Sequence, residues 1–400
     1  MERLQAYKFE LMPTGGQYRL LRRFAGACRF VFNRGLALQK ESRSAGNGHI
    51  GYVAMAKKLT AWRHDPETIW LQEAPCHPLQ QALKNLETAF KNFFAKRAGF
   101  PCFKRKGCGD SFRYPDTKQI KLDQGNSRIF LPKLGWLRYR KSREVLGEIR
   151  NVTVSCVAGK WSVAVQTRRE VGPSRPTATT AIGIDVGVAR FATMSDSSFV
   201  DAANSYKRHQ QRLAKYQRRM SRKVKFSKNW KKAKGCVQKL HCRIANLRKD
   251  LLHKATSTIS KSHAVVCIED LQIANLVRSA RGTMQRPGRR VAYKSALNRS
   301  ILDQGWGEFR RQLEYKLTWQ GGILLAVPPH HTSQTCPRCG HVSRDNRQTQ
   351  ARFCCVACGY ENHADVVGAI NILERGLRLL ACGEVAQPGR SMKQEPTESQ

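Results

Sequence analysis

The chain has 400 residues, more than one ordinary hydrophobic core holds, so its length predicts several domains. Its 71 lysines and arginines against 29 acids give a formal net charge of +42, and this self-repulsion favours a polyanionic partner. An enzyme of small molecules has no use for such an excess, and a basic surface kept only for solubility would spread its charge rather than cluster it. The composition therefore favours a nucleic-acid-binding protein.

The sequence contains no targeting or membrane signal that we can identify. No apolar run approaches the roughly 20 residues of a membrane helix, and the start MERLQAYKFE lacks the apolar segment of a signal peptide. Four of the 14 cysteines have the spacing of a zinc site, and the others are scattered singly, as reduced cysteines are. We expect a cytoplasmic protein with no membrane partner.

The N-terminal part combines helices with many short strands. Residues 3–12 alternate as a strand does, and helical patterns follow, the clearest at 79–96. Residues 127–170 predict further strands and a hairpin, which with 3–12 indicate a small antiparallel barrel. The loop 99–114 mixes aromatic and basic residues, which suits single-stranded or distorted nucleic acid and equally an ordinary basic loop. The composition of 172–180 is that of a linker.

The middle of the chain predicts a long basic helical segment at 204–262, with a break near 224–230. This segment holds 19 lysines or arginines and the single acid Asp250, so like charges oppose the helix unless a phosphate backbone neutralises them. Further along, one helix is predicted with Leu302, Trp306, Phe309, Leu313 and Leu317 on one side.

Two paired cysteine motifs predict a metal site. CPRCG (336–340) and CVACG (355–359) place Cys336, Cys339, Cys355 and Cys358 in the Cys-x2-Cys pattern of structural zinc, with no open coordination position. Cys354 leaves an alternative register, but Cys355 repeats the first motif. We expect one structural Zn²⁺ here.

Three acids come at the ends of predicted elements. Asp185 ends the apolar strand in AIGIDVGVARFATM, Glu269 ends the strand in HAVVCIEDL, and Asp365 lies in the first turn of the helix in ENHADVVGAINIL. Singly, such acids are turn formers or helix-dipole partners. Together they predict the three-carboxylate site of an RNase H-like nuclease, in which two Mg²⁺ ions assist phosphodiester hydrolysis.

These motifs resemble those of the TnpB proteins of IS200/IS605-type transposons. The resemblance covers nearly the whole chain and includes TSQTCPRCG, YKFELMPT, RRFAGACRFVFN, LQQALKNLETAFKNFF and GFPCFKRKG. The resemblance implies an α/β multidomain protein whose RuvC-like nuclease domain carries an inserted zinc module. It implies a wedge-like β-barrel at 1–10 and 118–175, a helical recognition insertion at 11–117, the nuclease at 176–330 and 359–382, and the zinc-binding target-nucleic-acid module at 331–358. The polar composition of 383–400, with its proline, glutamate and serine, predicts a disordered tail.

The resemblance also implies the activity: a bacterial RNA-guided DNA endonuclease that binds a structured guide RNA from its transposon end, recognises a short motif beside the target and cuts double-stranded DNA. Asp185, Glu269 and Asp365 match the catalytic acids, and Arg347 matches a position near the active site, where it would stabilise phosphate charge. A monomer is favoured. One alternative is a guided DNA-binding repressor that does not cut, which the three intact acids disfavour. The other is an accessory transposition protein, which is disfavoured because this chain lacks the tyrosine-nucleophile and histidine-pair signature that single-strand transposition needs.

Overall fold

The computed structural model describes residues 2–172, 176 and 178–382. The chain divides between Gly172 and Pro173 into two compact units. The predicted linker at 172–180 lies partly outside the described residues, and the predicted tail at 383–400 lies wholly outside them. Within the described part of the chain, none of the helices has an apolar stretch long enough to traverse a lipid bilayer.

The first unit is built on an antiparallel sheet whose strands run in the order β2-β6-β7-β1-β5-β4-β3. The predicted alternation at 3–12 is confirmed, because Tyr7, Phe9 and Leu11 are buried. One strand, β1, pairs with β7 along most of its length and with β5 at its end. Closure of this sheet into a barrel stays a prediction. The strands are β1 (Glu2–Met12), β2 (Ser111–Tyr114), β3 (Lys121–Asp123), β4 (Arg128–Leu131), β5 (Gly135–Tyr139), β6 (Glu148–Val157) and β7 (Lys160–Glu170).

Three helices complete the first unit: α1 (Gly15–Ser44), α2 (Tyr52–His64) and α3 (Cys76–Phe94). Helix α1 begins at a capping box, in which Thr14 accepts from the Gln17 backbone and the Gln17 side chain accepts from the Thr14 backbone. The reading of 99–114 as a loop is wrong at its end. Residues Ser111–Tyr114 form β2 and pair with β6. The strand forms because Phe112 and Tyr114 are buried in the core of this unit, a tertiary contact that the local sequence does not predict.

The second unit contains a five-stranded sheet in the order β10-β9-β8-β11-β12. Strand β9 is antiparallel to both of its neighbours, β8 and β10, while β11 runs parallel to both β8 and β12. The predicted strands around Asp185, before Glu269 and at 321–327 are confirmed. The strands are β8 (Ala181–Val186), β9 (Arg190–Met194), β10 (Phe199–Asp201), β11 (Val265–Glu269) and β12 (Ile323–Val327), with a separate pair, β13 (Arg352–Cys354) and β14 (Glu361–His363).

The helices of the second unit are α4 (Ser205–Ser221), α5 (Lys228–Ser262), α6 (Ile273–Leu276), α7 (Val291–Gln304), α8 (Trp306–Gln320) and α9 (Ala364–Ala381). Three of them, α5, α8 and α9, cover the two faces of this sheet. Residues of α5 and α8 pack on one face, against Ile182 and Ile184, while α9 packs on the other face through Ile372. Because side chains alternate along a strand, the positions next to the isoleucines, including Asp185, face α9.

The predicted basic helical segment is confirmed as α4 and α5, with the break where it was expected. The single helix predicted over Leu302 to Leu317 is wrong. It is two helices, because Gly305 adopts a left-handed conformation with φ 77° and ends α7 before α8 begins. Leu302 is consequently exposed, whereas Phe309, Leu313 and Leu317 are buried.

Candidate active site

Two of the predicted acids lie side by side at the ends of neighbouring parallel strands. Strands β8 and β11 pair in register up to Ile184 and Ile268, so the next residue of each strand, Asp185 and Glu269, comes to the same edge of the sheet. The apolar residues before them form the buried strands, and the carboxylates emerge where the strands end. Ligands of open α/β sheets bind outside the carboxyl ends of parallel strands, so this edge is the expected place for a site.

Helix α9 approaches this edge unusually closely because glycines separate it from the sheet. A Cβ atom at Gly183 would lie 2.1 Å from the carbonyl oxygen of Ala369, and one at Gly376 would lie 2.2 Å from Cys267 Sγ. Gly368 faces Asp185, since its Cβ would lie 3.1 Å from Asp185 Oδ2. Asp365 lies one turn before Gly368 on the same helix, so it reaches the edge that carries the other two acids.

The three acids interact electrostatically. Burial first, and then the charges of Glu269 and Asp365, raise the pKa of Asp185 to about 7 against the opposing effects of Arg347 and a backbone N–H. Burial also raises the pKa of Glu269, against the opposing effects of a hydrogen bond from Thr332 and the charge of Arg375. In the metal-free protein, burial and the neighbouring carboxylates thus both favour the protonated form of Asp185.

Arg347 lies at this site, as the sequence predicts. Its Nη2 is 3.5 Å from Oδ1 of Asp365 and 3.1 Å from the carbonyl oxygen of Gln350. His363 caps helix α9, because its Nδ1 accepts the backbone N–H of Asp365 at 3.2 Å. Asp365 is therefore fixed by a helix start on one side and by a cation on the other.

Sequence reasoning missed the residues that hold Glu269. Thr332 is buried and donates its hydroxyl to Glu269 Oε1 at 2.6 Å. Buried Asn371, on α9, donates to the carbonyl oxygens of Thr332 and Thr335, both at 2.7 Å. Arg375, one turn further, donates to the carbonyl oxygens of Pro328, at 3.2 Å, and His330. Both threonines stand in the motif TSQTC, but nothing local signals their partners.

The four predicted cysteines form a second site. Their Sγ atoms all lie within 4.8 Å of one another, with Cys336 and Cys358 3.6 Å apart and Cys339 and Cys355 also 3.6 Å apart. A tetrahedron of sulfur atoms about 2.3 Å from zinc has edges of about 3.8 Å, so the group fits the ion. Cys354 lies outside the group. Buried Asn346 joins the two motifs by donating to the Gln334 and His341 carbonyl oxygens and accepting from Val356 N–H.

Among the residues that the structure describes, this quartet is the one group of three or more histidines, cysteines or acids whose ligand atoms all lie within 4.8 Å of one another. The three acids are therefore more widely spaced than the cysteines. The zinc module is nonetheless continuous with the acidic site, because Cys336, Phe353 and Cys355 share a small core with Ala364 and Val367 of α9.

The basic hairpin of α4 and α5 is a separate feature of the second unit. Leu213, Val237, Leu240 and Ile244 form its core. Buried Asp303 fixes its start, by accepting from Ser205 Oγ at 2.7 Å and from the Tyr206 backbone N–H at 2.8 Å. A cleft of about 290 Å³ near the tip is lined by Tyr216, Arg219, Lys223, Asn229, Lys232, Ala233 and Cys236. At the tip, Phe226 is 65% exposed and stands beside Trp230.

Comparison with known proteins places this architecture in a family. Residues 162–280 match a family described as a probable transposase, OrfB of IS605. Residues 306–372 match the Cas12f1-like TNB domain, and residues 1–48 match a helix-turn-helix domain. The chain is 57% identical over 399 residues to InsQ of Escherichia coli (strain K12), covering 100% of this chain and 98% of that protein. The chain belongs to the TnpB family.

Further relatives extend the TnpB match. A protein of Streptomyces pristinaespiralis is 34% identical over 406 residues, covering 98% of this chain and 96% of that one. Both relatives are named as candidate RNA-guided DNA endonucleases. The solved structure of the mini-RNA-guided endonuclease CRISPR-Cas phi3 has 11% identity and a TM-score of 0.47, covering 94% of this chain and 92% of that one. In this TnpB-family chain, the segment matched to the helix-turn-helix domain is strand β1 followed by the single long helix α1.

Proposed function

We propose that this TnpB-family chain is an RNA-guided, Mg²⁺-dependent endonuclease that cuts double-stranded DNA. The observation that carries the proposal is the convergence of Asp185, Glu269 and Asp365 on one edge of the second sheet. Two of these acids end neighbouring parallel strands, and the third begins the helix that packs on them. The names of the two full-length relatives support the same activity. The proposed fold of this part is the RNase H-like, RuvC-type nuclease domain.

The acidic site suits hard divalent cations. Carboxylate oxygens are the ligands that Mg²⁺ prefers, and a bound cation would offset the burial and the neighbouring charges of Glu269 and Asp365 that raise the pKa of Asp185. Asp185, Glu269 and Asp365 would together hold the two Mg²⁺ ions of a two-metal site. When bound, the ions supply an activated water and stabilise charge on the leaving oxygen.

The surrounding residues position the acids and the substrate. Thr332 holds the Glu269 carboxylate in one orientation by its hydroxyl. Arg347 fixes Asp365 and, being half-exposed, also offers a cation to a non-bridging phosphate oxygen. The glycine contacts of α9 leave no room for water between the helix and the sheet, so the relative heights of Asp185 and Asp365 are fixed.

The remaining parts of the chain receive the roles that the resemblance implies. We assign residues 1–10 and 118–175 to a wedge domain, 11–117 to a recognition domain, 176–330 and 359–382 to the nuclease, and 331–358 to a zinc-stabilised module that contacts target nucleic acid. The α4–α5 hairpin is assigned to the guide RNA. The segment 204–262 contains 19 lysines or arginines and a single acid, and aromatic residues at the tip of the hairpin can stack on bases.

The test is plasmid cleavage by the assembled complex. The protein is purified with RNA transcribed from the end of its transposon and incubated with a matched plasmid, in Mg²⁺ and in EDTA. A linear product that requires the guide and the metal and disappears in Asp185→Ala supports the proposal. Tight guided binding without a cut at any metal concentration would contradict it and favour a repressor. Cleavage that ignores the guide sequence would also contradict it.

A further inference from the structure

A cleft of about 600 Å³ opens at the same edge of the second sheet as the acids. It is formed by the residues that follow strands β11 and β12, from Asp270 to Leu276 and from Pro328 to His330. Its size lies within the roughly 300–1,000 Å³ of small-ligand sites. Asp270 directly follows Glu269, and because side chains alternate along a strand, the Asp270 side chain lies on the face that carries α8, where Arg310 pairs with it. The cleft therefore opens at the sheet edge that carries Glu269, one residue away along the chain.

The walls of the cleft combine flat apolar surfaces with unused polar groups. Leu271, Leu276, Pro328 and Pro329 supply the apolar surface. The side-chain amides of Gln272 and Asn275 are exposed and have no hydrogen-bond partner within the described residues. Apolar faces that sandwich a ring and amides that reach its edge are the elements that recognise an unstacked nucleobase.

The charges around the cleft suit a nucleotide. The carboxylate of Asp270 is paired with Arg310, so the acid in the wall does not repel a phosphate. Lys294 donates to the carbonyl oxygen of Leu276 at 2.7 Å, which places an ammonium group at the rim. Arg375 donates to the carbonyl oxygen of His330 and so places a guanidinium group at the rim as well. A base in the cleft would therefore have cations next to its flanking phosphates.

One loop joins the cleft to the acidic site. Pro328, Pro329 and His330 line the cleft, and Thr332, two residues further, holds Glu269. Asn371 and Arg375 fasten this loop to α9, the helix that carries Asp365. A group bound in the cleft thus contacts the loop that orients Glu269 and that is hydrogen-bonded to the helix carrying Asp365.

We propose that this cleft binds one unpaired nucleobase of the DNA strand being cut, next to the scissile phosphodiester, and so sets where that strand lies over the acids. The proposal rests on the proposed endonuclease function and names a substrate subsite that the acids alone do not provide. Gln272 and Asn275 contact the edge of the base, and the prolines and leucines contact its faces.

The test removes the base and its binding groups separately. Guide-matched duplexes carry one abasic residue at each successive position around the cut in either strand, and single-turnover cleavage rates are measured with the complete RNA–protein complex. At one position, loss of the base should slow cutting about tenfold, since stacking of a base contributes about 1–3 kcal/mol, or roughly 5–150-fold. The double variant Gln272→Ala/Asn275→Ala should slow the intact substrate but not slow that abasic substrate further.

Two results would overturn the subsite. In one, the variant and the abasic residue reduce the cleavage rate by factors that multiply; in the other, no position is found at which loss of the base slows cutting. Gln285→Ala, an exposed amide that does not line the cleft, is the matched control and should leave the abasic profile unchanged. Absence of cutting by the wild-type complex on intact DNA would instead be a failure of the proposed function.

A readout without cleavage keeps the subsite testable on its own. 2-Aminopurine is placed at each position in turn, in complexes of Asp185→Ala. At one position, the fluorescence should differ between the complex of Asp185→Ala and the complex that also carries Gln272→Ala and Asn275→Ala. Identical fluorescence at every position would overturn the subsite.

Discussion

Gly368 of helix α9 lies directly over Asp185 of strand β8, and a methyl group at position 368 would stand 3.1 Å from the Asp185 carboxylate. That distance is tighter than ordinary van der Waals contact, so Asp185 or the helix must shift. A shift of a few tenths of an ångström relieves this contact, so Gly368→Ala should lower the single-turnover cleavage rate by about threefold to tenfold, less than the roughly hundredfold that a 1 Å misplacement can cost. Guided DNA binding should not change.

The same substitution should not destabilise the helix, since alanine is favoured over glycine in a helix by about 1 kcal/mol. Gly235→Ala in α5, where nothing lies within 4 Å, is the control and should raise stability without loss of cutting. Wild-type cleavage by Gly368→Ala would show that the close packing on Asp185 is unimportant.

Loss of the Thr332 hydroxyl should shift the pH dependence of cutting. That hydrogen bond lowers the pKa of Glu269 against the effect of burial, so Thr332→Val should raise the pKa further. A protonated Glu269 cannot bind a cation, and the acidic limb of the rate profile should move to higher pH. Single-turnover rates at fixed Mg²⁺ between about pH 6 and 9 test this.

Thr332→Ser retains the hydroxyl and should keep the wild-type profile. A profile of Thr332→Val that is lowered equally at every pH would contradict a role through the pKa of Glu269.

Removal of the Asp185 charge should stabilise the metal-free protein. The folded-state pKa of about 7 exceeds the ordinary value of 3.8, so the folded state holds a proton that the unfolded state has lost between these pH values. Stability should therefore fall as pH rises through this window. Asp185→Asn should raise the Tm of the metal-free protein by several degrees at pH 7 to 8, since 1 kcal/mol corresponds to about 2–4 °C at this size.

Calorimetry at pH 4 and at pH 8 provides the comparison. The difference between variant and wild type should be small at the lower pH and should shrink or reverse when Mg²⁺ is added at the higher pH. An equal difference at both pH values would contradict the electrostatic origin.

Substitution of one zinc ligand should remove the ion and weaken its module. Cys339→Ser should lose the bound zinc measured by elemental analysis, because a structural site needs all four thiolates. Chelation of the wild-type protein should lower the Tm in the same way, since the energy of metal binding contributes to folding. Cys354 lies outside the quartet, so Cys354→Ser is the control and should keep one zinc. Loss of zinc from this control would show that Cys354, rather than Cys355, is the ligand.

The α4–α5 hairpin should account for part of the salt dependence of RNA binding. Replacing Arg219, Lys223 and Lys232 of its cleft by glutamine should reduce the slope of log K against log salt by about two, at about 0.7 per lost phosphate contact. The control replaces Lys91, Arg311 and Arg378, each outside the hairpin and already paired with an acid in its own helix. Equal changes of slope in the two triple variants would contradict a specific role of the hairpin.

The parts of the site that sequence predicts are those encoded by local pattern. The apolar runs before Asp185 and Glu269 specify buried strands, so the acids at their ends could be located. The spacing of Cys336, Cys339, Cys355 and Cys358 selected the metal ligands, including the choice of Cys355 over Cys354. In these cases the informative residues are neighbours in the chain.

The parts that sequence does not predict depend on distant partners. Thr332 and Glu269 are 63 residues apart, and Asn371 is 39 residues from Thr332, so no local pattern connects them. The break at Gly305 was missed because the apolar spacing continues across it. Strand β2 was missed because its pairing with β6 is a tertiary contact.

Helix α9 is tied to the zinc module at two points. Asn371 donates to the carbonyl oxygen of Thr335, just before Cys336, and Ala364, the first residue of the helix, donates its N–H to the carbonyl oxygen of Ala351 at 2.8 Å. Arg347, which lies between these two points in the chain, reaches Asp365. The module therefore forms part of the wall of the acidic site, and a counterpart grafted from a relative would preserve the setting of Asp365 only if it supplied an arginine at the place of Arg347.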